Sequence, residues 1–205
     1  MSGGPSTVYV VDDDAAVRTA IGMLMRSIGH RTLTFGSAAE FLDNYDPSSN
    51  GCVVLDVRMP GMSGLDVQDR LNELGAKIPI IFVTGHGDVP MAVQAMRSGA
   101  EEFLQKPFRD QDLIDRVNQA LKKSAASTEA ESERRAVRAC LESLTAREKE
   151  IMNMIVEGCP NKVIASDLGL SARTVEVHRA NIMEKMQVHS LAQLVRWVVL
   201  YRDKN

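Results

Sequence analysis

The sequence predicts an α/β fold followed by an all-α domain. A doubly wound, five-stranded parallel sheet is expected over residues 1–123, a linker over 124–143, and a four-helix helix-turn-helix domain over 144–205. Three observations carry this. Five short apolar runs alternate with stretches of helical periodicity. No Gly or Pro interrupts the chain between Phe108 and Glu157. From residue 144 the pattern is wholly helical, with a short helix, a Gly-containing turn and a longer helix.

The strands are expected at TVYVV (7–11), RTLTF (31–35), CVVLD (52–56), IPIIFVT (78–84) and EEFLQK (101–106). An unbroken apolar run such as CVVL suits a strand covered on both faces. Periodic stretches at 15–28, 37–45, 64–74, 89–98 and 110–123 supply the helices. Ser37 is placed to cap the second of these, with Glu40 completing a capping box. Gly29, Gly75 and Gly99 fall where helices end. The segment KKSAASTEAESERRAVRACLES is rich in Ala, Glu and Arg, which favours a helical spacer extending the preceding helix. The same polarity also suits a disordered linker. Beyond it, Thr145 and Glu148 form a capping box before Ile151, Met154 and Ile155, and Gly158 ends that helix. A short helix at 161–167, a turn at Gly169, a helix from Ser171 to about Lys185 and a last one after Ser190 complete the domain.

Composition is ordinary for a globular chain of 205 residues, 44% hydrophobic and 25% charged. No apolar run approaches the roughly 18 residues that span a bilayer. MSGGPST has neither a basic n-region nor an apolar core, so a cytoplasmic protein with no membrane partner is expected. Cys52, Cys140 and Cys159 match no metal-ligand spacing and read as reduced thiols. Residues 1–123 carry 12 Lys and Arg against 16 Asp and Glu, whereas residues 144–205 carry 9 against 7. An acidic first part joined to a mildly basic last part points to different partners.

Chemistry-bearing residues stand at the strand ends. Asp12, Asp13 and Asp14 end the first strand, Asp56 the third, Thr84 the fourth and Lys106 the fifth. An open parallel sheet binds ligands beyond the carboxyl ends of its strands, so these residues should share one rim. Crowded carboxylates favour a cation, and a few oxygen ligands with room for water suit Mg²⁺. A carboxylate beside a metal and an ammonium can attack a phosphoryl group. Taken singly, the Asp triplet is also a helix cap, Asp56 a turn residue, Thr84 a strand end and Lys106 a surface lysine.

The motifs VVDDD, LDVRMPGMSG, FVTGHGD and EFLQKPF together resemble the receiver domain of two-component response regulators. LTAREKE and NKVIASDLGLSARTVEVHRANIMEKM resemble the LuxR-type helix-turn-helix of the NarL/FixJ family, and GHGDVPMAVQAM with RTVEVHRANIM resembles FixJ-type regulators. The resemblance implies a flavodoxin-like strand order 2-1-3-4-5. It implies Asp56 as phosphoacceptor, with Asp13, Asp56 and the Arg58 carbonyl on Mg²⁺ (or Mn²⁺) and Asp12 acting through water. Lys106 would contact the phosphate, the bond before Pro107 would be cis, and Thr84 and Phe103 would form a switch pair, although Phe103 reads equally well as a core residue. The implied partners are a histidine kinase, promoter DNA, RNA polymerase and, on phosphorylation, a second copy of the chain. The dimer face would use the segments 89–98, 101–106 and 110–123, with Val93, Met96, Arg97, Glu101, Arg109 and Asp112.

In the second domain Val175, Ile182 and Met186 are spaced to face the core, leaving Arg173, Glu176, Arg179 and Asn181 on polar sides of the longer helix. Arg reads guanine, Asn reads adenine and Glu accepts from cytosine. The resemblance places base contacts near Glu176, Val177, Arg179 and Ala180. Lys162, Arg173, Thr174, His178 and Lys185 are expected on phosphates, which set register. The same helix also suits a protein-binding surface. Leu191, Leu194, Val195, Val198 and Val199 of the last helix either pair copies or close their own core. Two other functions compete with a phosphorylation-controlled transcription regulator. A phosphohydrolase is disfavoured by Arg58, where a second carboxylate would be needed. A constitutive DNA binder would use the first domain only for dimerisation.

Overall fold

Covering both faces of a parallel sheet makes its central strands uniformly apolar, and that is what the computed structural model contains. It describes residues 6–47, 49–85 and 89–202. Residues 86–88, which complete the FVTGHGD motif, and residues 1–5 of MSGGPST lie outside the described residues. The chain divides into two compact units, residues 1–129 and 130–205.

In the first unit five strands alternate with helices: β1 (Thr7–Val11), α1 (Ala15–Ser27), β2 (Arg31–Phe35), α2 (Ala38–Asn44), β3 (Gly51–Leu55), α3 (Gly64–Glu73), β4 (Ile80–Thr84), α4 (Val89–Arg97) and β5 (Glu102–Gln105). α5 (Asp110–Glu142) follows as one helix of 33 residues. The sheet is all parallel in the order β2-β1-β3-β4-β5. Every residue of β1, β3 and β4 is buried, whereas the edge strands β2 and β5 are partly open.

Successive side chains of a strand feed opposite cores. Tyr9 and Val11 join Leu55 and Phe82 under Phe41 of α2, Leu71 of α3 and Ala95 of α4. Val8 and Val10 join Val54 and Ile81 under Met25 of α1 and Leu113 and Val117 of α5. Each fully buried side chain contributes on the order of 1.5–3 kcal/mol. Ser37 caps α2 by accepting from the Glu40 N–H at 3.2 Å. The Glu40 carboxylate turns instead to the Gly36 N–H at 2.8 Å, so the expected reciprocal box is closed one residue early.

The second unit comprises the end of α5 with α6 (Ala146–Val156), α7 (Asn161–Asp167), α8 (Ala172–Lys185) and α9 (Leu191–Arg202). Ile151, Ile155, Ile164, Val175, Ile182, Met186, Leu194 and Val198 form its core. Leu194 and Val198 therefore close their own domain, while Leu191 and Val199 stay exposed. Val137 and Leu141, read from sequence as linker, are buried in this core, because their i, i+4 spacing gives the end of α5 an apolar face. Among the described residues no helix is long and apolar enough to cross a membrane.

Candidate functional site

Parallel register aligns the strand ends. Val11 pairs with Leu55 and Thr84 with Gln105, so Asp12, Asp56 and Lys106 leave the sheet along one edge. Backbone bonds extend the ladder: Asp56 N–H donates to the Val11 carbonyl at 2.8 Å, and Lys106 N–H donates to the Thr84 carbonyl at 2.9 Å.

Asp12 and Asp56 are only 3% and 7% exposed. Lys106 Nζ donates to Asp12 Oδ2 at 2.7 Å and to Asp56 Oδ1 at 3.3 Å. The other oxygens are held by backbone: Asp12 Oδ1 accepts from the Asp14 N–H, and Asp56 Oδ2 from the Arg58 N–H, each at 2.9 Å. Burial raises the Asp56 carboxyl above its ordinary range; the Lys106 charge opposes this and the Asp12 charge adds to it. Burial pushes the Lys106 ammonium toward neutrality, yet its bonds to Asp12 and Asp56 outweigh that and hold it above its usual value. One ammonium thus serves two carboxylates, and the rim remains a place for a further cation.

The aspartate triplet divides its labour. Asp12 points into the rim, Asp13 is exposed, and Asp14 caps α1, accepting from the Ala16 N–H at 2.8 Å. Capping and rim chemistry therefore fall to different members of one motif. The expected ligand set of Asp12, Asp13, Asp56 and Arg58 is not gathered into a cage. Among the described residues no three Asp, Glu, His or Cys side chains converge closely enough for one. The donors present still fit Mg²⁺, which binds through one or two carboxylates and keeps several waters. Thr84 is 1% exposed. Phe103 is half-buried, its ring 6.3 Å from that of Phe82 and packed against the core under α2–α4. The Lys106–Pro107 bond is cis.

Two positioning residues escape the sequence reading. A Cβ on Gly64 would lie 2.3 Å from the Asp56 carbonyl oxygen and 3.1 Å from Phe82 Cε1, so only glycine lets α3 begin against Asp56. Its signal was present in the GMSG turn, where Ser63 and Asp66 also form a reciprocal capping box. Arg18 of α1 donates to the Asp12 carbonyl at 2.6 Å. No sequence spacing marks a bond from a helix side chain to a strand-end carbonyl.

In the second unit α7 and α8 form the helix-turn-helix. Ser171 caps α8 by accepting from the Thr174 N–H at 3.1 Å. Val175, Ile182 and Met186 are fully buried. Lys162 of α7 is exposed, as are Arg173, Glu176, Val177, Ala180 and Asn181 of α8. Thr174, His178 and Arg179 are half-buried, and His178 Nδ1 is buried with no hydrogen-bond partner among the described residues. Lys185 is half-buried, and its ammonium donates to both oxygens of Glu148, the buried carboxylate of the α6 capping box, at 2.7 and 3.0 Å.

Comparison with known proteins agrees with both halves. A response regulator receiver domain matches residues 8–118, and the luxR family of bacterial regulatory proteins matches residues 142–198. The response regulator protein TmoT of Ectopseudomonas mendocina is 48% identical over 203 residues, covering 99% of this chain and 92% of TmoT. The transcriptional regulatory protein FixJ of Azorhizobium caulinodans is 48% identical over 193 residues, covering 94% of this chain and 92% of FixJ. The solved structure of the response regulator StyR superimposes with a TM-score of 0.91 at 45% identity, over 97% of this chain and all of that one. With this geometry and these relatives, the chain belongs to the response regulators of two-component systems that join a receiver to a LuxR-type DNA-binding domain, and it is a transcription regulator rather than an enzyme.

Proposed function

We propose that Asp56 accepts a phosphoryl group from a partner histidine kinase, and that this controls DNA binding by α8 and hence transcription, as an activator acting in the cytoplasm. The observation that carries the reading is the bridge Asp12–Lys106–Asp56, a buried carboxylate with a fixed ammonium beside it. An Asp56 oxygen forms the new O–P bond as the N–P bond of the kinase phosphohistidine breaks, and the leaving imidazole takes up a proton. Lys106 turns from carboxylate to phosphoryl oxygen as a point charge. Asp12, Asp13, Asp56 and the Arg58 carbonyl would hold Mg²⁺ or Mn²⁺, which supplies charge neutralisation of the transferring oxygens. The phosphoryl group brings about −1.5 to −2 charge and three acceptor oxygens. Thr84 donates to one of them, and Phe103 turns inward into the space that Thr84 leaves. A population shift over α4, β5 and the first half of α5 then favours a homodimer. Val89, Val93 and Met96, all exposed on α4, supply apolar surface for it.

On the output side Glu176, Val177, Arg179, Ala180 and Asn181 read base edges, and Lys162, Arg173, Thr174, His178 and Lys185 meet phosphates, Lys185 turning from Glu148 to do so. A dimer bound so can recruit RNA polymerase. The boundaries that serve this reading are receiver 1–123, linker 124–143 and DNA-binding domain 144–205. The test compares the natural chain with Asp56→Ala after incubation with Mg²⁺ and acetyl phosphate. Phosphorylation, dimerisation and promoter binding should rise only in the natural chain. Equal dimerisation and equal DNA binding by both proteins would sink the switch and favour a constitutive DNA binder.

A further inference from the structure

The helix-turn-helix is held from outside by a side chain of α6. α7 is only seven residues long and begins at Pro160 without a side-chain cap. Its far end closes on itself. The Gly169 N–H donates to the Ser166 carbonyl at 3.3 Å and the Leu170 N–H to the Ala165 carbonyl at 2.8 Å, with Gly169 at a φ of 64°. This closure serves carbonyls of the last helical turn but not that of the C-cap residue. The C-cap is Leu168, whose carbonyl has no donor within α7. Arg147 supplies one from 21 residues away: its Nη2 donates to that carbonyl, while its Nη1 donates to Glu150 Oε2 at 2.8 Å. A guanidinium suits the place. It brings positive charge to the negative end of a helix, and its donors stand in a fixed fork. Between Leu168 and Ser171, the cap of α8, lie just Gly169 and Leu170. The end of α7 and the start of α8 are therefore tied to α6 at one point.

We propose that Arg147 is a positioning residue for sequence reading. It makes no contact with DNA; it holds the α7–α8 turn so that α8 enters the groove at a fixed angle and depth. The role rests on α8 as the base-reading helix. Hydrogen bonds to base edges need that placement, whereas long basic side chains follow a phosphate over a range of positions. Loss of Arg147 harms discrimination between sequences more than attraction to DNA.

Arg147→Met removes the donors but keeps the aliphatic stem and the helix-forming tendency. The full chain, treated with acetyl phosphate and Mg²⁺, is titrated over a range of salt against two duplexes. One is selected by the natural chain from a random library, and the other is the same duplex with its sequence scrambled. The ratio of the two affinities should fall about tenfold in Arg147→Met. The slope of log affinity against log salt should not change. Ile151→Val, a core change of α6, controls for lost stability and should keep the ratio. In the free chain, hydrogen exchange at the Gly169 and Leu170 amides should quicken about tenfold more in Arg147→Met than in Ile151→Val. Should Arg147→Met not fold, Arg147→Lys, which keeps the charge without the fork, should still lower the ratio about threefold. An undiminished ratio, an equal loss in Ile151→Val, or a salt slope reduced by about 1, the mark of a direct phosphate contact, would overturn the proposal. A natural chain that selects no duplex would instead sink the reading of α8 itself, and this role with it.

Discussion

Glu148 receives Lys185 through both carboxylate oxygens, at 3.0 and 2.7 Å, across 37 residues of chain. The same carboxylate accepts from the Thr145 N–H at 2.8 Å, so one buried group caps α6 and ties it to the end of α8. Replacing Glu148 by Ala removes a cap and strands a partly buried ammonium. The expected loss is about 2 kcal/mol of stability, measured by calorimetry. Lys185→Met should cost less, because the aliphatic stem still packs and the cap survives. The bond from Lys185, followed by that from the Thr145 backbone, holds the Glu148 carboxyl below its ordinary 4.5. As pH falls, the unfolded chain therefore takes up this proton before the folded one does. The contribution is complete above pH 4.5 and fades as pH drops through the folded value. Glu148→Gln should flatten that acid limb.

Asp56 has the opposite sign. Its folded carboxyl titrates above 3.8 because burial disfavours the charge. Between the unfolded and folded values the folded state binds more protons, so stability falls as pH rises through that window. Charged Asp56 is then a net cost at neutral pH. Asp56→Asn should raise Tm by about 2–4 °C while abolishing phosphorylation. An unchanged or lowered Tm would show that Lys106 outweighs the burial.

Gly64→Ala tests the close approach of α3 to Asp56. The new methyl group meets backbone at 2.3 Å, so Asp56 or the start of α3 must move. A destabilisation of about 2–3 kcal/mol and at least a tenfold slower reaction with acetyl phosphate are expected. Gly61→Ala serves as a control: its φ of 83° strains an added side chain, yet no atom lies within 4 Å of its Cβ. It should reduce stability without slowing the reaction comparably.

On α8, exposed Glu176 and exposed Lys162 of α7 should separate sequence reading from charge. Glu176→Gln should move preference from cytosine toward adenine at one position, by about 1–3 kcal/mol. Lys162→Ala should weaken all sequences alike and lower the slope of log affinity against log salt by about 1. Binding titrations over a range of salt concentrations distinguish the two.

Much of the architecture could be read before folding. Runs such as TVYVV and CVVL are apolar because helices cover both faces, and that signal is local. Asp12, Asp56 and Lys106 were legible as a group because parallel strands end on one side. What stayed hidden depends on distances that no local pattern encodes. Arg18 on the Asp12 carbonyl, Lys185 on Glu148 and Arg147 on the Leu168 carbonyl arise only when separate elements meet. Which member of the aspartate triplet is buried at the rim and which stays exposed is likewise not encoded by three identical residues in a row. Strand β5 was traced one residue too long at each end, since EFLQ on an open edge carries a weaker apolar signature than the central strands.

The distribution of rings has a spectroscopic consequence. Tyr9 and Tyr45 sit edge to face, 5.9 Å apart, in the core of the first unit. Trp197, the one tryptophan of the chain, packs against the core of the second. Long-wavelength excitation therefore reaches an indole that reports on the DNA-binding half, while tyrosine ellipticity in the near ultraviolet is weighted toward the receiver. The natural chain carries its own optical labels, and the order in which its halves melt can be recorded without attaching a dye.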